Sequence, residues 1–182
     1  MLLNAKWLTY CTGEYKGIDD KYGNPSPYFR HTFSVKKPLK KATLSVSALG
    51  VFKAYVNGKE VSNDWLSPGW VDYTVQLPLI RYDITALLAE VNGIGIVLGD
   101  GWAVGHVGSN RTFKRTSFSD RIEMVAAIKL EYTDGTSEMI ESDGNWKAAQ
   151  GAIRRSDIYM GEYIDTRLDL GDFSAADYDD ST

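Results

Sequence analysis

The sequence predicts an all-β protein, a sandwich of antiparallel strands in a jelly-roll-like arrangement with at most short helical turns. Short segments of alternating apolar and polar residues recur along the chain, and turn-forming residues separate them at close intervals. Spacing of apolar residues at about 3.6 positions is almost absent, so no long helix is expected. Asn57-Gly58 has the residues that a type I′ hairpin requires, and Asp134-Gly135 is a second hairpin dipeptide. Many short strands joined by tight turns are typical of a β-sandwich.

The first half of the chain begins with a glycine- and proline-rich segment, residues 12–27, which is expected to form a loop. Alternation then predicts a series of strands. The central hairpin turns at Asn57-Gly58 and leads into a polar loop that contains two tryptophans. The expected strands of this half are residues 28–35, 42–48, 51–56 and 59–61.

The second half contains the clearest strand, residues 122–132, which alternates over its whole length and returns through 137–141 after Asp134-Gly135. A threonine or aspartate cap predicts a short helical turn at residues 83–88. Residues 103–119 are too polar and irregular for a core strand. Further extended segments are expected at residues 75–82, 94–98, 152–155 and 158–167.

The length of 182 residues fits one folded domain. Twenty basic and 24 acidic residues are intermixed, with a net charge of -4, which argues against nucleic acid or an anionic membrane as a partner. The single Cys11 cannot form an internal disulfide, and the first residues are too short and polar for a signal peptide. A cytoplasmic location is therefore expected, and no apolar run is long enough to span a bilayer.

Composition changes after residue 167. Residues 1–167 are expected to form the sandwich, whereas 168–182 carry five aspartates and no lysine or arginine. Such a segment is typical of a solvated acidic tail or of a linker towards a following domain.

Catalytic motifs are not evident. His31 alternates in register with Phe29 and Phe33, which predicts a packed histidine, and neither histidine accompanies a nucleophile motif such as GxSxG. Cys11 has no partner, and the glycine-rich sequence around Trp102 lacks the order of a phosphate-binding loop. A pair of carboxylates could in principle hydrolyse a glycoside, but no spacing identifies one.

Binding chemistry is more prominent, and it lies in the loops. Asn63 and Asp64 offer two adjacent oxygen-bearing side chains that suit calcium, and Asn110 adds a third if residues 103–119 fold over the same end of the sandwich. The alternative for Asn63-Asp64 is a simple Asx turn. Trp65, directly after this pair, is expected to be exposed, and His106 lies in a glycine-rich loop that can face a ligand.

The other four tryptophans are expected to be mostly buried. In a sandwich of this size tryptophans usually close the ends of the core, and Trp70 and Trp102 follow the PG and DG turns that would position them there. Trp7 and Trp146 are expected in the core or against a neighbouring domain.

The ordered blocks ALGVFKAYVNGKEVSNDWLSPGWVDY (48–73) and LGDGW (98–102) resemble the N-terminal β-sandwich domain of bacterial α-L-rhamnosidases. PYFRHTF (27–33), DGNxW (143–146) and SDIYMGEYIDTR (156–167) extend this resemblance over nearly the whole chain. The resemblance implies the same sandwich architecture. It also implies that the two catalytic glutamates of these inverting glycosidases lie in a separate helical barrel domain, outside this chain.

The resemblance also implies a ligand. Related domains of some rhamnosidases are similar to rhamnose-binding modules in which an Asp/Asn pair before an LxPGW run holds calcium. Asn63-Asp64 match that pair in reversed order, and Asn110 matches less securely. The expected function is non-catalytic recognition of terminal L-rhamnose in a glycan or glycoside, with carbohydrate contacts from Asn63, Asp64, Trp65, His106 and Asn110. The alternative is a structural domain that supports the catalytic barrel without binding sugar.

Overall fold

The computed structural model describes residues 4–10, 25–107 and 118–181. Two antiparallel sheets enclose one hydrophobic core, which confirms the predicted all-β sandwich. The first contains β1 (Pro27–Ser34), β3 (Val51–Val56), β4 (Lys59–Glu60), β6 (Val91–Gly99) and β9 (Lys147–Gln150), in the order β4-β3-β6-β1-β9. The second contains β2 (Leu39–Leu49), β5 (Ile80–Asp83), β7 (Glu123–Tyr132) and β8 (Ser137–Glu141), in the order β5-β2-β7-β8.

A separate hairpin, β10 (Ile153–Asp157) with β11 (Gly161–Ile164), adjoins the five-stranded sheet. Helical structure in the described residues is limited to α1 (Gly101–Val104) and two 3-10 turns, Thr85–Leu87 and Thr166–Leu168. The first of these turns confirms the predicted helical turn, and the Asp83 carboxylate accepts a hydrogen bond from the Thr85 backbone N–H. In the part of the chain described here, no helix has the length and apolarity that a membrane span requires.

The core follows from strand alternation. Inward-facing residues of β1, β3 and β6 meet those of β2 and β7, so that side chains such as Ile96 and Leu44 are fully buried. His31 is half-buried and stacks on the buried Trp146 at 5.5 Å between ring centroids, in agreement with the predicted packed histidine. Burial lowers the pKa of His31.

Both predicted hairpins form. Asn57 and Gly58 have φ of 51° and 78°, the left-handed angles of a type I′ turn, and β3 pairs with β4 through Val56 and Lys59. At the second hairpin Gly135 has a φ of 83°, and residues Ala127 to Glu131 of β7 pair with β8.

Two expected strands are shorter than predicted. The strand expected at residues 75–82 begins only at Ile80, as β5 (Ile80–Asp83), because the backbone N–H groups of Val75 and Gln76 donate to the carbonyl of Asp72 and form a turn. Of residues 158–167, only Gly161–Ile164 is a strand.

Replacing Gly58 by valine is expected to lower the free energy of unfolding by about 1–3 kcal/mol, because a β-branched residue is strained at this positive φ. A Cβ at this position would also lie 2.4 Å from the Asp172 carboxylate. Urea denaturation measures the loss. The matched control is Gly144→Val, at an exposed glycine whose φ is not left-handed and whose surroundings are open. Equal stability of the two variants would contradict the expectation.

The acidic C-terminal segment differs from the expected solvated tail. It runs across the outer face of the five-stranded sheet, with Phe173 and Ser174 buried. The Phe173 ring makes edge contacts with Tyr28 and Tyr55, at 5.1 and 5.8 Å between centroids. Gly95 makes room for it, since a Cβ there would lie 2.5 Å from the Phe173 ring. The prediction of a solvated tail is therefore wrong for this part of the segment.

Arg30 holds the same segment by its backbone. Its Nε donates to the Phe173 carbonyl at 2.9 Å, and its Nη2 donates to the Ala175 carbonyl at 3.0 Å. Its Nη1 pairs with the Asp180 carboxylate, which also accepts a bond of 2.7 Å from Lys147. Residues 173–180 are thus part of the packed structure, while their role as a linker towards a following domain stays a prediction.

Candidate functional site

The loop after β4 presents Asn63, Asp64 and Trp65 to solvent. Trp65 is 81% exposed, as expected. Within the described part of the chain, neither the Asn63 nor the Asp64 side chain makes a hydrogen bond. The Ser62 hydroxyl instead accepts the Asp64 backbone N–H at 3.1 Å. The alternative expectation, an Asx turn closed by the Asn63 or Asp64 side chain, is therefore not found in this loop.

The loop is anchored to the sheet just beyond Trp65. The Phe52 backbone N–H donates to the Ser67 carbonyl at 2.7 Å, and Leu66 has a φ of 57°, which is uncommon for a branched side chain. The Lys53 ammonium lies 4.5 Å from the centroid of the Trp65 ring and 2.8 Å from the Glu60 carboxylate. A cation–π contact thus steadies an otherwise exposed indole.

Residues that follow the Asn63-Asp64 pair contact Trp102 and Phe118, whereas the expected approach of Asn110 to the pair stays a prediction because Asn110 lies outside the described residues. Trp70 makes an edge contact with Trp102 at 5.6 Å between centroids, and Tyr73 contacts Phe118 at 5.2 Å. The expectation that Trp70 plugs the core is wrong, because it is 50% exposed. Ala103 and Val104 of α1 are fully buried and contribute to the core at this position.

The two remaining tryptophans, Trp146 and Trp7, differ in burial. Trp146 is buried, as expected, and its Nε1 donates to the Glu141 carbonyl at 3.3 Å. Trp7 is 41% exposed and so is not a core residue, which leaves contact with a neighbouring domain as the prediction for it.

His106 packs against the β10–β11 turn. Its backbone N–H donates to the buried Asp157 carboxylate at 2.8 Å, and its ring Nδ1 lies 2.8 Å from the same oxygen. Burial raises the pKa of Asp157, but hydrogen bonds from His106, Met160 and Tyr159 outweigh it and lower that pKa overall. The pair ties the α1 region to the hairpin, a contact between residues 51 positions apart that no local sequence signal indicates.

The structure describes two of the three residues that were expected to bind a metal. Asn63 and Asp64 are adjacent and accessible, whereas Asn110 lies outside the described residues, as does Cys11. The described ranges hold no group of three or more His, Cys, Asp or Glu side chains suited to a metal. Asn63 and Asp64 can therefore fill only part of a calcium coordination sphere of six to eight oxygens.

A shallow hollow of about 140 Å³ lies beside Trp65, on the outer face of the five-stranded sheet. Lys53, Ser156 and Glu162 contribute its polar groups, and the Ser156 hydroxyl donates to the Glu162 carboxylate at 3.0 Å. A larger hollow of about 380 Å³ lies beneath the C-terminal segment. The charges of Arg30, Lys147 and Asp180 at the larger hollow are paired with one another. The hollow beside Trp65 is the better candidate for a ligand, because an exposed indole lines it.

Comparison with known proteins places the chain in a family. The model of the α-L-rhamnosidase N-terminal domain matches residues 37–182. An α-L-rhamnosidase of Alteromonas sp. (strain LOR) is 37% identical over 157 residues, which is 85% of this chain and 17% of the relative.

Two solved structures of α-L-rhamnosidases are also similar to this chain. The native α-L-rhamnosidase from Aspergillus terreus matches with a TM-score of 0.89 and 30% identity, over 98% of this chain and 20% of that one. The Streptomyces avermitilis α-L-rhamnosidase complexed with L-rhamnose matches with a TM-score of 0.81 and 34% identity, over 86% and 15%. The chain thus spans 15–20% of the length of these relatives. It belongs to the α-L-rhamnosidase N-terminal domain family.

Proposed function

We propose that this chain is the non-catalytic substrate-recognition domain of an α-L-rhamnosidase and binds terminal L-rhamnose weakly. The observation that carries the proposal is the 81% exposed indole of Trp65, steadied by Lys53 and flanked by two accessible oxygen-bearing side chains. A rigid indole offers a large flat surface to the apolar face of a sugar at little cost in conformational entropy. The neighbouring amide and carboxylate oxygens of Asn63 and Asp64 can accept hydrogen bonds from its hydroxyls.

The proposal includes a calcium ion that is bound by both the protein and the sugar. Asn63 and Asp64 would hold the ion together with Asn110, and vicinal hydroxyls of the sugar would complete the coordination. The uncommitted Asp64 carboxylate supports this assignment, because a side chain without an internal hydrogen bond can turn towards a cation without breaking one.

Hydrolysis is assigned to the rest of the parent enzyme. The chain spans 15–20% of its relatives, which leaves most of their length for a catalytic domain and its two glutamates. An inverting mechanism belongs to that domain in the proposal.

A second candidate is a supporting role without sugar binding. The β10–β11 hairpin and the residues around it expose a run of large apolar side chains, of which Tyr163 is 59% exposed. Exposed apolar surface of this kind is typical of a docking site, and the remainder of the parent enzyme is the proposed occupant. The side chains concerned are Ile158, Tyr159, Met160, Tyr163, Ile164 and Leu168.

Titration of this chain with millimolar L-rhamnose, in calcium and again with EDTA, tests the first candidate. We expect saturable heat in calcium and a weaker response after chelation. Asp64→Ala is expected to abolish the calcium-dependent response and to shift the Tm by no more than a few degrees, because the side chain is exposed. Asp177→Ala, at an exposed aspartate of the C-terminal segment, is the control.

The outcomes separate the two candidates. Absence of heat in both buffers would favour the supporting role. Wild-type affinity of Asp64→Ala would place the ligand away from the Asn63-Asp64 pair.

A further inference from the structure

The hollow beside Trp65 is built by three distant parts of the chain. Its floor is the outer face of β3 and β6, where Val97 is 9% exposed. Trp65 stands on one side of it and the β10–β11 hairpin on the other. The lining residues that bear on a ligand are Val51, Lys53, Trp65, Val97, Ser156 and Glu162.

The position of the hollow follows from how the sheet is covered. The C-terminal segment lies over Gly93 and Gly95, where an added Cβ would meet Ser174 and Phe173. The hairpin approaches the sheet at Gly99, where a Cβ would lie 2.7 Å from the Ser156 hydroxyl, and the Asp100 N–H donates to the Ser156 carbonyl at 3.0 Å. Two close contacts therefore leave a recess between them, beneath the Trp65 indole.

The side chains around the recess suit a neutral, hydroxyl-rich ring. Trp65 supplies an apolar aromatic surface. The Glu162 carboxylate accepts hydrogen bonds, the Ser156 hydroxyl both donates and accepts, and Lys53 donates. Lys53 is already paired with the Glu60 carboxylate at 2.8 Å, so Glu162 disfavours an anion and can accept hydrogen bonds from the hydroxyls of a neutral ligand. The volume of about 140 Å³ is below the usual range of ligand pockets, which restricts the hollow to a small ligand.

We propose that this hollow is the sugar subsite, with the pyranose ring against Trp65 and its hydroxyls bonded to Glu162, Ser156 and Lys53. This inference rests on the proposed function and extends it, because Glu162 and Ser156 come from the hairpin and not from the Asn63-Asp64 loop. In this arrangement Glu162 contributes to affinity whether or not calcium is present.

The test is a titration of the 182-residue chain and its variants with L-rhamnose, in calcium and in EDTA. Trp65→Ala and Glu162→Ala are each expected to weaken binding about tenfold, the effect of losing one hydrogen bond to a charged group or a comparable contact. Glu162→Gln, which keeps the shape of the side chain, is expected to weaken binding less. Both positions are exposed, so thermal unfolding should be nearly unchanged.

Tyr163→Ala is the matched control. Strand alternation places Tyr163 on the opposite face of β11 from Glu162, so its loss should leave the affinity unchanged. Wild-type affinity of Glu162→Ala beside a weakened Trp65→Ala would overturn the inference and leave the proposed function standing. Wild-type affinity of both variants would overturn the inference and would also remove the observation that carries the proposed function. A weakened Tyr163→Ala with an unchanged Glu162→Ala would also overturn it. A wild-type chain that binds no L-rhamnose would overturn both.

Discussion

Replacement of Arg30 by methionine is expected to lower the free energy of unfolding by about 3 kcal/mol, because two carbonyls lose their donor and the Asp180 carboxylate keeps only Lys147. Arg30 is 6% exposed, and water cannot easily replace the guanidinium at the Phe173 carbonyl. Methionine has a similar reach but donates no hydrogen bond. The C-terminal segment should then detach from the sheet and become sensitive to limited proteolysis, while the sandwich core remains folded.

Urea denaturation and a proteolysis time course measure the two effects. Arg167→Met is the matched control, because the Arg167 side chain is 85% exposed and bonds to the nearby Asp165 carboxylate. Its stability should be almost that of the wild type. An Arg30→Met chain as stable and as protease-resistant as the Arg167→Met chain would contradict the structural role assigned to Arg30.

Replacement of Asn92 by leucine is expected to cost about 3 kcal/mol, because it leaves buried polar groups without partners. Asn92 is fully buried, and its Oδ1 accepts from the Asn57 Nδ2 at 2.8 Å and from the Ala89 N–H at 2.7 Å. Its Nδ2 donates to the Ala89 carbonyl at 2.9 Å. Asn57 in turn holds the type I′ turn against β6 by accepting the Gly93 N–H.

Thermal and urea unfolding of the Asn92→Leu chain measure this cost. Asn145→Leu is the control, since Asn145 is exposed and bonds to Asp143, two residues earlier. Stability equal to that of the control would show that the Asn57–Asn92 contact does not support the hairpin.

Local signals predicted the hairpins and the strand alternation well. Asn57-Gly58 and Asp134-Gly135 determine their turns through backbone angles that few other residues adopt, and β7 alternates over its full length. The C-terminal segment was mispredicted because its composition is acidic, whereas its packing depends on Phe173 meeting Gly95, which lies far away in the sequence.

Only part of the candidate site could be predicted, because the rest depends on contacts between residues that are distant in the sequence. The exposure of Trp65 follows from its polar neighbours and is found in the structure. The contributions of Lys53, Ser156 and Glu162 could not be predicted, because they depend on how β3 and the β10–β11 hairpin are placed around the Trp65 loop. The PG turn before Trp70 predicts a core position, but in the structure Trp70 is half exposed and packs against Trp102.

The most direct measurement is a two-dimensional ¹H–¹⁵N NMR titration of this chain with L-rhamnose. We expect the indole N–H signal of Trp65 and the amide signals of Ser156 and Glu162 to move in a saturable way, while the indole signal of the buried Trp146 stays in place. Signals that remain unchanged at millimolar sugar, or that move only in regions remote from Trp65, would contradict recognition of rhamnose at this site.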